Sequence, residues 1–342
     1  MHVQRQISTL ILISALIFVT AYLSVATFSE SHPLTFLSRR LSSSTPFADG
    51  FADLRIAKDL AKLSKSVYSI ENGVSPNEDI PSNFVARHYI DNSEPDTEAL
   101  VATSNNYGGN DNFIAIVFRG SESSSDWATN FNAGFVTLDN QDAPSNVKVH
   151  QGFRDAVFQN DLANSLDRHV QSLLDDSSSF GGLNADVYLT GHSLGGALAQ
   201  VMGAYLANKY SDRNFRVITF GQPKVGNDKF KDWSENELTN LSVWRFVNRS
   251  DAVPRLPPGV LGYDHAGHTL QINRKDSEAF YRHVGGVKDY RGVSAAWTGY
   301  GTSIYHHSSS QYINFFEKKA MKSKYWPQAF EKECPWWKFW GC

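Results

Sequence analysis

Cysteine is nearly absent: the 342 residues hold only Cys334 and Cys342, both at the far end of the chain. So few, so placed, exclude a disulfide scaffold and a zinc site of any recognised cysteine spacing. An excess of one charge is missing too. Lys and Arg number 32 against 35 Asp and Glu, a formal net charge of −3, with no basic block and no basic-aromatic stripe, so nothing asks for a nucleic-acid partner. Charged residues are 20% and hydrophobic ones 41%, a globular and not a disordered composition. No internal repeat is visible. Aromatics, at 13%, suit an apolar ligand or a well-filled core.

One long uncharged run is present. Arg5 precedes a mostly apolar stretch from Ile7 to Phe28, long enough at about 1.5 Å per residue to span a bilayer. Ser24-Val25-Ala26 offers small residues where a signal peptidase reads. Residues 1–28 are therefore expected to be a cleaved signal peptide or a retained signal anchor. Either sends the remainder into the secretory route, secreted or held to a membrane by this segment. There the sequons at Asn240 and Asn248 become potential glycan sites, although Asn248 stands too near the proposed site to expect a sugar. Residues 29–50, Ser- and Pro-containing with a dibasic Arg39-Arg40, read as a linker or pro-segment. Residues 331–342 form an aromatic-rich tail, read as packed on the domain rather than in a membrane, whose two cysteines could close a small terminal loop on export.

Between these ends, residues 51–330 read as one domain. Ile56, Leu60, Leu63 and Val67 recur at helical spacing, and Val157, Ala163, Leu166, Val170 and Leu173 predict a helix between Phe153 and Leu174. Phe113–Phe118 is a continuous apolar run, as expected of a strand buried on both faces. Asp186–Thr190, Phe215–Phe220 and Val243–Val247 read as further strands, and Leu194–Asn208 as a helix. The alternation predicts an α/β fold, a mostly parallel central sheet flanked by helices.

The sharpest signal is Leu189-Thr190-Gly191-His192-Ser193-Leu194-Gly195-Gly196-Ala197. Gly-x-Ser-x-Gly carries meaning where it joins a strand to a helix, because a tight turn there strains the serine and admits only small neighbours. Ser193 is thus the candidate nucleophile of an α/β-hydrolase fold, with the following helix N-terminus below it to favour developing negative charge. A serine hydroxyl needs a base, and the base an acid that fixes its tautomer. In this fold the order is serine, acid, histidine. Asp251 stands just past a strand, followed by prolines that stiffen the turn. The later histidines are His265, His268, His283, His306 and His307; the first three read as structural. His307 is the favoured base and His306 the alternative, both entering a terminal helical stretch with Tyr312 and Phe315.

These motifs together resemble the fungal-type, class 3 lipases over nearly the whole domain. The resemblance is carried by Val117-Phe118-Arg119-Gly120-Ser121, Asp126-Trp127 and His150-Gln151-Gly152-Phe153. The elbow, the run from Asp251 to Pro258 and His265-Ala266-Gly267 complete it. It implies an oxyanion hole made by Ser121 and the N–H of Leu194. It also implies a short lid of about residues 122–133 that includes Trp127, and a substrate groove near Phe118, His192 and Val253. The lid's apolar face is little more than Trp127, Ala128 and Phe131.

The implied chemistry is acyl transfer without metal or organic cofactor. The expected substrate is an acylglycerol met at an oil–water or membrane interface, with the oligomeric state left open. A phospholipase A1 or feruloyl-type esterase on the same fold is the alternative, and a non-catalytic lipid-binding protein the third reading.

Overall fold

The apolar run at Phe113 is a strand with all six residues buried, and it lies inside a larger sheet. In chain order the first strands are β1 (Phe84–Ser93), β2 (Asp96–Ser104), β3 (Phe113–Phe118), β4 (Phe135–Thr137), β5 (Lys148–His150) and β6 (Asp186–His192). They are followed by β7 (Phe215–Phe220), β8 (Gly226–Asn227), β9 (Leu241–Asn248), β10 (Tyr263–Asp264), β11 (His268–Lys275) and β12 (Glu278–Val284). The helices are α1 (Ala52–Ser66), α2 (Gln151–Phe158), α3 (Leu162–Asp175), α4 (Leu194–Lys209), α5 (Asp228–Asn236) and α6 (Ser309–Glu317). This computed structural model describes residues 52–70, 80–93, 96–104, 113–121, 134–138, 143–175, 185–248, 251–275, 278–284 and 304–317. All belong to Phe51–Cys342, one of two units into which the chain divides. The leader at 1–28, the linker with Arg39-Arg40, Trp127 and the rest of the lid, and the tail with Cys334 and Cys342 lie outside the described residues.

Eight strands pair in the order β1-β2-β3-β6-β7-β9-β11-β12. The β3–β6, β6–β7, β7–β9 and β9–β11 pairs are parallel, and antiparallel pairs finish both edges. Because the central strands run one way, the segments that follow β3, β6, β7 and β9 emerge at one edge, where sites assemble in such sheets. A smaller antiparallel sheet, β10-β8-β5-β4, stands apart.

Helices cover both faces. Ser64 of α1 hydrogen-bonds Thr190 at 3.1 Å, whereas α4 meets the neighbouring residue, Leu189, and Val217 through Gly203. Adjacent strand residues point to opposite faces, so α1 and α4 lie on opposite sides of the sheet. Gly195 to Ala207 of α4 are all buried, which explains a helix with no polar face.

One expectation is corrected. The stripe between Phe153 and Leu174 is two helices, α2 and α3, with Asn160 and Asp161 between them at φ of +53° and +62°. Left-handed residues cannot continue a right-handed helix, and Asn and Asp are the side chains that accept that conformation most readily after glycine.

Candidate active site

β6 ends at His192 and α4 begins at Leu194, so the whole turn rests on Ser193, at φ +59° and ψ −129°. Such backbone costs a non-glycine residue roughly 1–3 kcal/mol and persists only where the surroundings impose it. Here the Ser193 N–H donates to the Phe220 carbonyl at 3.0 Å and the Ser193 carbonyl accepts from the Gly196 N–H at 3.0 Å. Packing adds the rest. A Cβ on Gly191 would lie 2.3 Å from the Gly195 carbonyl carbon, and one on Gly195 2.2 Å from the Phe118 carbonyl oxygen. The first turn of α4 is thereby pressed onto Phe118 and Arg119, the residues that lead to the half-buried Ser121. Leu194 opens the helix, where N–H groups lack intrahelical acceptors and positive partial charge collects.

Asp251 follows β9 at the same edge of the sheet, 1% exposed. Its Oδ1 accepts from the Val253 N–H at 2.9 Å, and its Oδ2 accepts from His307 Nδ1 at 2.7 Å. Of the two candidate histidines, the structure therefore joins His307 to Asp251. His306 stands one residue earlier, in the same 3-10 turn Ile304–His307, and its carbonyl accepts from the Asn248 side chain at 3.1 Å. With Nδ1 as the donor to a carboxylate, neutral His307 carries its lone pair on Nε2. That Nε2 and Ser193 Oγ are both buried, and neither has a hydrogen-bond partner among the described residues.

Two further residues complete the cluster, and neither was expected in it. Tyr312, on α6, donates to Asp251 Oδ2 at 2.6 Å and accepts from the Asn248 N–H at 3.1 Å. Burial, and next the neighbouring carboxylate, hold its phenol well above the ordinary range, so it is a donor at any working pH. Gly221, just past β7, has φ +66°, and a Cβ there would lie 3.0 Å from both Asp251 Oδ2 and the His307 ring. A side chain at that position would wedge apart the acid and the histidine. In the sequence Tyr312 is visible only as a helix residue, and the Gly221 signal is a lone glycine just past an apolar run.

Phe118 and Val253 are fully buried and His192 is 6% exposed. Both His192 ring nitrogens are engaged: Nε2 lies 2.5 Å from the His307 carbonyl and Nδ1 3.1 Å from the Tyr68 hydroxyl. His265 is buried with Nε2 2.6 Å from the Pro254 carbonyl, and the His268 ring lies tilted against that of Trp244, 4.5 Å between centres. His283 lies on β12. Both sequon amides are committed. Asn240 Nδ2 donates to the carbonyls of Ala207, Tyr210 and Arg213 at 3.0, 2.7 and 2.9 Å, and Asn248 Nδ2 holds the His306 carbonyl. A glycan on either nitrogen would remove a hydrogen these contacts use. Among the described residues no group of three or more His, Cys, Asp or Glu could hold a metal ion.

Residues 115–261 match the family described as Lipase (class 3). A lipase of Rhizomucor miehei is 35% identical over 188 residues, 54% of this chain and 47% of that protein. A secreted mono- and diacylglycerol lipase 1 of Fusarium solani is 36% identical over 152 residues, 44% of this chain and 41% of that one. The chain thus spans less than half the length of these curated relatives. The solved triacylglyceride lipase of Rhizomucor miehei superposes with a TM-score of 0.59 at 26% identity, covering 77% of this chain and 94% of that one. Lipase II from Rhizopus niveus superposes equally well, at 0.59 and 23% identity over the same shares, a likeness of fold.

Proposed function

Because the chain belongs to the class 3 lipase family, we propose that it is a serine hydrolase of acylglycerol esters working through a Ser-His-Asp acyl-enzyme. The observation that carries the reading is the strained Ser193 elbow on the same sheet edge as a His307–Asp251 pair bonded at 2.7 Å. A pair so arranged, with the Nε2 lone pair uncommitted, is equipped to take a proton from a nearby hydroxyl.

In this mechanism Ser193 Oγ attacks the ester carbonyl while His307 Nε2 takes its proton. Asp251 holds the imidazole and stabilises the charge it gains. The carbonyl oxygen, now an anion, rests on the N–H groups of Ser121 and Leu194, with the Ser121 hydroxyl as a further donor. Removing one such donor costs about two to three orders of magnitude in rate. His307 then protonates the leaving alkoxide, and water activated by the same nitrogen hydrolyses the acyl-enzyme. None of these steps calls on a metal or organic cofactor.

The proposed substrate surface is an oil–water or membrane interface. Ser193 is 1% exposed, while Val260 and Leu261, on the loop that begins at Asp251, are 74% and 51% exposed. Gly262 brings this loop to Phe135, on the strand that follows the expected lid. Export is proposed from the apolar run at residues 7–28 and from the secreted Fusarium solani relative. Among the described residues no helix is long and apolar enough to cross a membrane.

The test is hydrolysis of a short-chain triacylglycerol across its solubility limit by purified wild-type chain and Ser193→Ala. A Ser193-dependent rate that rises sharply once droplets form supports a lipase. A smooth saturating rate on soluble aromatic esters, with none on glycerides, moves the reading to a feruloyl-type esterase.

A further inference from the structure

We propose that Tyr68 and His192 form a positioning relay that keeps the strand end bearing Ser121 in register with the segment bearing His307 during acyl transfer. The inference rests on the acyl-transfer reading above.

The chain of contacts has only one consistent set of proton positions. A carbonyl can only accept, so the His192 nitrogen 2.5 Å from the His307 carbonyl, Nε2, must carry the proton. Burial first, and next the neighbouring His307, lower the His192 pKa to about 3, so the ring is neutral and Nδ1 is bare. The Tyr68 hydroxyl 3.1 Å away therefore donates to Nδ1. The same phenol oxygen is packed directly against Gly120, and burial holds its pKa well above the ordinary value, so the donated proton stays in place. The relay thus runs from Tyr68, packed on Gly120, to His192, and from His192 to the His307 carbonyl. One end holds the residue before Ser121 and the other holds the proposed base by its backbone.

Its surroundings leave little slack. A Cβ on Gly120 would lie 2.1 Å from the Tyr68 hydroxyl and 2.6 Å from the His192 carbonyl oxygen. The Arg119 guanidinium, in a buried ion pair with Glu98, sits 5.9 Å from the Tyr68 ring centre. The His192 ring lies 4.6 Å from that of His307. A charged ring there would oppose the imidazolium that His307 becomes in the transition state; a neutral donor with a fixed tautomer does not. Loss of the Tyr68 hydroxyl leaves the buried Nδ1 lone pair of His192 without its donor and unties the ring from the strand end that bears Ser121.

Tyr68→Phe keeps the ring packing and removes only the hydroxyl. On a soluble short-chain ester its kcat is expected to fall about tenfold to a hundredfold, with KM within about twofold and the melting temperature nearly unchanged, as for a small misplacement of reacting groups. Inactivation by a serine-reactive phosphonate should slow in proportion. His192→Phe should show the same loss, and His192→Gln, whose amide can still donate to the His307 carbonyl, should recover much of it. In the double variant Tyr68→Phe/His192→Phe the two losses should not multiply, because both cut one chain. Kcat within twofold of wild type in Tyr68→Phe, or losses that multiply in the double variant, would overturn the relay alone. A folded wild-type chain that hydrolyses no ester would instead remove the acyl-transfer reading, and the relay with it.

Discussion

The Tyr312 hydroxyl and the Nδ1–H of His307 converge on one oxygen, Oδ2 of Asp251, at 2.6 and 2.7 Å. The carboxylate is thereby fixed from α6, from the turn before it and, through Oδ1, from the Val253 N–H. Hydrogen bonds to a charged group contribute about 1.5–3 kcal/mol each. Tyr312→Phe is expected to lower stability by about that amount, since it also leaves the Asn248 N–H without its acceptor, and to lower kcat less than any change at Asp251. Asp251→Asn should lower kcat by about four orders of magnitude with the fold intact, because an amide in that place favours the wrong histidine tautomer. Denaturant melts and ester kinetics on the two variants separate support of the acid from its role.

Gly221 stands where a methyl group would meet both members of the acid–histidine pair. Gly221→Ala is predicted to lose about 1–3 kcal/mol of stability from the left-handed φ alone and most of its ester hydrolysis from the displaced His307. Chemical denaturation and kcat should fall together. Full activity would show that the pair tolerates separation.

Acid should destabilise the fold through its buried neutral histidines. His192 and His265 both have pKa values lowered, chiefly by burial, from the ordinary 6.5, His192 to about 3 and His265 well below 6.5. Between the folded and unfolded values the unfolded chain binds more protons, so stability is complete above about pH 6.5 and declines as pH falls, by up to about 1.4 kcal/mol per pH unit for each group. His265→Gln can keep the bond to the Pro254 carbonyl and cannot titrate. Its melting temperature should fall less steeply between pH 6.5 and 4 than that of wild type.

If Val260 and Leu261 meet the lipid surface, Val260→Ser/Leu261→Ser should slow hydrolysis of emulsified triacylglycerol several-fold and leave a soluble ester untouched. Exposed side chains contribute little to folding, so the melting temperature should hold. Equal effects on both substrates would remove the loop from the interface account.

Much of this was legible where burial and sequence speak the same language. Phe113–Phe118 is a strand at the bounds its apolar run suggests, because a strand buried on both faces favours apolar residues throughout. Phe215–Phe220 keeps its expected bounds with Arg216 and Thr219 held by Asp186 and Gln222. The β1–β2 and β11–β12 hairpins were not, since edge pairs carry mixed residues such as Arg87, His88 and Asp91 that satisfy no simple period. Ser193 was legible because strain demands glycines around it. The choice between His306 and His307 was not, because adjacent residues in a 3-10 turn differ in direction rather than in chemistry. Tyr68 and Tyr312 act through contacts 124 and 61 residues apart, and Gly221 meets Asp251 and His307 far along the chain, so no local pattern carries them.

The most direct test is peptide mapping after treatment with a serine-reactive alkyl phosphonate, paired with ester hydrolysis by Ser193→Ala. The account predicts one label, on Ser193, with wild-type hydrolysis lost in step with labelling and absent in Ser193→Ala. A folded wild-type chain that labels elsewhere, or a Ser193→Ala chain that still hydrolyses esters at the wild-type rate, would contradict it.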